Sequence, residues 1–75
     1  MATINVKSEV IGTVWRVEKT VGAEVAAGDT VLILESMKME IPVAAPEAGK
    51  ITKIAVVAEE SVEEGQVVCV IESQG

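Results

Sequence analysis

Ile4 and Val6 alternate with Asn5 and Lys7 at the start of the chain, and short alternations of apolar and polar residues recur to its end. A period of two is the mark of a strand with one buried face. Eight extended segments follow from this pattern: Thr3–Ser8, Thr13–Glu18, Glu24–Val25, Val31–Glu35, Glu40–Ala45, Lys50–Val57, Ser61–Val62 and Val67–Glu72. They fall into two sets of four. At a constant offset of 37 residues, Ile4 aligns with Ile41, Val6 with Val43, Gly12 with Gly49, Val14 with Ile51, Val25 with Val62, Gly28 with Gly65, Val31 with Val68 and Glu35 with Glu72. Short strands punctuated at regular turns indicate an all-β sandwich or barrel, and the duplication predicts quasi-two-fold symmetry within one domain spanning residues 1–75.

Gly12 and Gly49 each precede a strand, and Gly28 and Gly65 each precede the last strand of a copy. All four are expected at turns where a side chain would be strained. Pro42 interrupts the strand Glu40–Ala45; lacking an N–H, it places that strand at a sheet edge or turns the missing donor outward. The duplication breaks where Trp15 matches Thr52 and Lys19 matches Val56. Trp15 either caps one end of the core or sits exposed. Packing is the favoured expectation, because one large ring covers much apolar surface in a chain without Phe or Tyr.

The symmetry also orders the strands. The last strand of the first copy and the first strand of the second form a hairpin through Met37 and Lys38, and the N-terminal strand pairs with the C-terminal one. Lys38 then lies at one end of the domain and both chain ends lie at the other.

Composition agrees with this fold. At 75 residues the chain makes one domain, and such a domain buries only roughly 60% of the surface its unfolded chain exposes. Its core is drawn from fourteen Val, nine Ala and seven Ile, with only two Leu. β-Branched residues suit a pleated sheet better than a helical bundle.

The net charge of −6, with six scattered basic residues, excludes the clustered cations that nucleic-acid binding needs. An anionic membrane surface would repel the domain for the same reason. No apolar run approaches the roughly 20 residues of a membrane span, and no basic segment followed by an apolar stretch forms a signal peptide. A cytoplasmic protein is expected. Cys69, the single cysteine, lies in Val67-Val68-Cys69-Val70-Ile71 and reads as a small buried hydrophobe. With no His in the chain, it has no base to activate it. Glu59, Glu60, Glu63 and Glu64 read as a solvated rim around the turns.

Lys38 is the position with functional content. A lone lysine at a hairpin tip is usually a solubilising group, but here both neighbours are methionines, flexible and polarizable side chains favoured at binding surfaces. A tight turn ordinarily prefers Gly, Asn or Asp, so Met-Lys-Met serves something other than local structure. A solvent-exposed lysine amine is protonated at neutral pH and a poor nucleophile. The chain offers no His, no Tyr and no acid/base pair in a cleft to change that. Lys38 is therefore a site for an outside enzyme to modify, and neither catalytic nor metal-ligating residues are expected.

The run Glu35-Ser36-Met37-Lys38-Met39-Glu40, with Gly12, Gly22, Val25 and Gly28 before it and Pro46, Gly49 and Gly65 after it, resembles the biotinyl (biotin carboxyl carrier) domains of biotin-dependent carboxylases and the related lipoyl domains. The resemblance covers nearly the whole chain. That family usually has Ala where this chain has Ser36. The resemblance implies a flattened barrel of two four-stranded antiparallel sheets. It implies that a biotin-protein ligase joins biotin to Lys38 through an amide, and that Met37, Met39, Glu35 and Glu40 help the ligase and partners recognise the tip. It implies a non-catalytic carrier that takes a carboxyl group from a biotin carboxylase to a carboxyltransferase component of an acyl-CoA or related carboxylase, the isolated domain being monomeric. The constant offset leaves no room for the thumb insertion of some carriers, and no Pro/Ala-rich linker precedes the domain. The chain is expected to be either a free-standing carrier or a fragment cut at a domain boundary.

Two other readings remain. A lipoyl carrier of a 2-oxoacid dehydrogenase or glycine-cleavage system uses the same barrel, but typically has Asp-Lys-Ala at the tip; attachment of both lipoate and biotin is a variant of this. An unmodified interaction domain would treat Lys38 as ordinary surface. Nothing in the sequence names the carboxyl acceptor.

Overall fold

The computed structural model describes residues 2–73 and contains eight strands. They are β1 (Thr3–Lys7), β2 (Gly12–Val17), β3 (Glu24–Val25), β4 (Thr30–Ser36), β5 (Met39–Ala44), β6 (Gly49–Ile54), β7 (Ser61–Val62) and β8 (Val67–Ser73). Two antiparallel four-stranded sheets result, ordered β1-β8-β6-β3 and β5-β4-β2-β7. Each strand has its counterpart 37 residues on, and the counterpart always lies in the other sheet. Neither copy forms a sheet alone. Each sheet takes two strands from either copy, so the inner faces of both copies close one core.

That core holds Val14, Val31, Leu32, Leu34, Ile51, Val68, Cys69 and Ile71 at full burial. Consecutive residues such as Val31 and Leu32 cannot both face inward on a regular strand, whose side chains alternate. The β4–β5 ladder solves this by shifting register between Thr30 and Leu32, and the β1–β8 ladder shifts equivalently across Val68. β-Bulges of this kind bend and twist a strand locally, here allowing Val31 with Leu32, and Val68 with Cys69, to be buried together. Burial raises the Cys69 thiol pKa to about 11.

Three sequence expectations are corrected. The strand Lys50–Val57 ends at Ile54, and Thr13–Glu18 ends at Val17. In both places the chain leaves the ladder for a turn, closed by Glu60 N–H to the Val57 carbonyl in one copy and Ala23 N–H to the Thr20 carbonyl in the other. Gly12 and Gly49 are not turn residues. They open β2 and β6, and a Cβ on either would collide with the backbone carbonyl of Glu35 or Glu72 respectively. Trp15 does not pack into the core. It sits in the bulge between Val14 and Arg16, 45% exposed, with the Arg16 guanidinium 5.9 Å from its ring centre. The matching bulge in β6 is at Thr52.

Pro42 lies on β5, an edge strand, and so withholds no donor from a neighbour on that open side. At the other edge of the symmetry, β1 pairs with β8 from Thr3↔Glu72, and Ser73 N–H donates to the Ala2 carbonyl.

Candidate functional site

Strands β4 and β5 pair down to Ser36↔Met39, leaving Met37 and Lys38 as a two-residue turn. Both take positive φ, 52° and 66°. A two-residue hairpin favours that geometry because its twist matches the twist of the flanking strands, and Asn-Gly is the sequence that adopts it most readily. Met and Lys carry a Cβ into the left-handed region, at roughly 1–2 kcal/mol per residue. Local strain at a turn that Asn-Gly would relieve points to a requirement on the side chains themselves.

Those side chains face solvent. Met37 is 92% exposed, and Lys38 and Met39 are exposed as well. Among the described residues the one ion pair is Arg16–Glu18, so no carboxylate neutralises the Lys38 ammonium. Glu35 and Glu40 are paired directly across the ladder, one step inward from the Ser36↔Met39 pair.

Two features of the tip could not be seen in the sequence. The Ser36 hydroxyl donates to the Ile11 carbonyl at 2.8 Å, pinning the root of the turn to the loop before β2. That loop presents Ile11, 68% exposed, beside the tip. The only sequence sign was a second apolar residue, Val10-Ile11, outside the strand alternation.

The tip lies at the opposite end of the domain from Ala2 and Ser73, the first and last described residues. β1 begins beside Ser73, and by Ile11 the chain has crossed to Ser36. Among the described residues no group of three or more His, Cys, Asp or Glu could hold a metal ion, and no helix is long and apolar enough to cross a membrane. The site offers one free primary amine, an apolar surround and a negative rung beneath it.

Comparison with known proteins gives this geometry a family. Residues 4–73 match the family described as "Biotin-requiring enzyme". The chain is 37% identical over 67 residues to the biotinylated protein TB7.3 homolog of Mycobacterium leprae, covering 89% of this chain and 94% of that protein. Its fold superposes on a single-chain, multi-domain long-chain acyl-CoA carboxylase with a TM-score of 0.91 at 29% identity. It superposes equally, at 0.91 and 39% identity, on the urea carboxylase of Kluyveromyces lactis. In each superposition 96% of this chain is covered, but only 7% and 6% of the carboxylases. The chain belongs to the biotin/lipoyl attachment family, as a non-catalytic biotinyl-type carrier domain.

Proposed function

We propose that Lys38 is the attachment residue, its ε-amine joined in an amide to the carboxyl group of biotin by a biotin-protein ligase. The observation that carries this is the strained Met37-Lys38 turn, exposed and flanked by Met39, at the end of the domain away from Ala2 and Ser73. The residues fit the group: amide formation needs one accessible primary amine, and a long apolar arm needs open space around it. When bound, biotin supplies a ureido nitrogen that accepts and releases a carboxyl group. The protein's part is to hold the arm by a rigid hairpin and so keep it at high effective concentration near partner sites.

Met37 and Met39 supply an adaptable apolar contact to the ligase, and Glu35 with Glu40 an anionic contact that steers basic partner surfaces. The partners in this reading are a biotin carboxylase and a carboxyltransferase, a reading supported by the superposition of the fold on two carboxylases. The compartment is the cytosol, where such a ligase and carboxylase would meet the chain. Biotin rather than lipoate is the group, because Met37 and Met39 flank Lys38 where lipoyl domains typically carry Asp and Ala, and the relative matched over 94% of its length is a biotinylated protein.

Incubating the chain with biotin, ATP and a biotin-protein ligase, then measuring intact mass and mapping peptides, tests the assignment. One biotinyl increment on Lys38 is expected; an increment elsewhere, or none, would remove it.

A further inference from the structure

The chain's sole aromatic residue and its sole arginine are neighbours, and both are exposed. Trp15 and Arg16 line an open hollow together with Val21, Val57 and Ala58. Val21 and Val57 are more than half exposed, so the hollow presents a patch of large apolar side chains facing water. Both copies of the repeat build it, since Val21 and Ala58 are equivalent positions. The symmetry breaks here in two places: Trp15 stands where the second copy has Thr52, and Lys19 where it has Val56. The only charged residues lining the hollow are Arg16 and Lys19, on a chain whose net charge is −6.

From this we infer that the hollow docks a protein partner through a segment that inserts an apolar side chain against Trp15 and sets a carboxylate near Lys19 and Arg16. Trp and Arg are the residue types that dominate interface energetics when an apolar contact excludes water around them. The Arg16 guanidinium over the indole is partly engaged by Glu18 at 3.1 Å, which leaves Lys19 as the lone unmatched charge of the lining and selects an acidic segment. A second copy of this chain is a poor occupant, because two bodies each carrying −6 repel one another. The hollow lies beyond the β2 bulge from the Lys38 turn, so it can be filled while the tip is engaged elsewhere. Two contacts on one small body raise the effective concentration of the second once the first is made.

The partner's identity as a carboxylase component rests on the carrier reading; the hollow itself does not. Trp15 is this chain's single tryptophan, so its emission is read as the difference between each mixture and the same mixture made with Trp15→Phe. The Lys38→Arg chain, which carries no biotin, is titrated with purified biotin carboxylase and, separately, purified carboxyltransferase, following Trp15 emission, acrylamide quenching and calorimetric affinity. With one component the emission is expected to move to shorter wavelength and quenching to fall. Trp15→Ala and Lys19→Glu are each expected to weaken the calorimetric affinity about tenfold, equivalent to ~1.4 kcal/mol. Binding that leaves Trp15 emission and the affinity of Trp15→Ala unchanged overturns the inference while leaving the carrier role intact. Binding to neither component overturns it too, and biotinylation of the unsubstituted chain then shows whether the carrier role survives. An emission shift that depends on the concentration of the chain alone assigns the hollow to self-association and overturns it.

Discussion

Glu35 stands directly across the β4–β5 ladder from Glu40, one step inward from the turn that carries Lys38. Like charges directly opposite on antiparallel strands are destabilising. Replacing Glu40 by Gln is expected to stabilise the domain by about 0.5 kcal/mol, a rise in Tm of roughly 2–4 °C for a domain of this size. Biotin labelling of the same variant should slow. Thermal melts and labelling rates measured together check this, and a faster-labelled, less stable variant would contradict it.

The Met37-Lys38 turn offers a second case of stability set against recognition. Met37→Asn places a residue that tolerates positive φ where Met is strained, with an expected gain of up to about 1 kcal/mol. Labelling by the ligase should fall in the same variant. Lys38→Arg should abolish labelling with Tm unchanged, and moving the lysine to position 37 or 39 should abolish it as well. Unchanged labelling after such a move would show that the ligase does not read the geometry of the turn.

Backbone sterics away from the tip give effects of opposite sign at two positions of the second copy. Gly49→Ala drives a Cβ into the Glu72 carbonyl and is expected to cost about 1–3 kcal/mol. Glu59, by contrast, holds φ 74° where the first copy has Gly22 at 95°. Glu59→Gly should therefore stabilise the domain, by up to about 1 kcal/mol. Urea denaturation of the two variants checks both signs.

Cys69 predicts an alkaline limit. Its folded pKa of about 11 lies above the ordinary thiol value of 9.0, because burial disfavours the thiolate. The unfolded chain thus loses this proton first as pH rises. Stability is full below about pH 9 and declines toward pH 11 by roughly 1.4 kcal/mol per pH unit. Cys69→Val should remove that part of the slope, read as the difference between the two proteins' pH–Tm curves above pH 9. Coincident curves would show that the thiol makes no contribution.

Ser36→Ala removes the hydroxyl that ties the turn to Ile11. The expected loss is about 1 kcal/mol, seen as faster amide hydrogen exchange in Met39 and Glu40 and little change in β8.

The sequence by itself determined the strands, the repeat and the place of Lys38 between the two copies. All three are local or periodic properties, written in side-chain alternation, in β-branched composition and in the constant spacing from Ile4 to Ile41 and Gly28 to Gly65. Pro42 was legible at an edge for the same kind of reason, since a missing donor is a property of the residue alone. The pairings of β4 with β5 and of β1 with β8 followed from the repeat, but only the tertiary structure decided that β2 and β7 complete one sheet and β6 and β3 the other, because strand partners are chosen by burial of a shared core and not by order along the chain. It also decided why Gly12 and Gly49 are glycine, which is the approach of a carbonyl from a strand more than twenty residues away in sequence. Trp15 lay beyond sequence reasoning for a related cause: its neighbour Val14 holds the inward place, so alternation turns the ring outward, and the bulge between Val14 and Arg16 returns Val17, not Trp15, to the core side. The surround of Lys38 was likewise completed from outside the motif, when the fold set the Ser36 hydroxyl against the Ile11 carbonyl and brought a third apolar side chain to the tip.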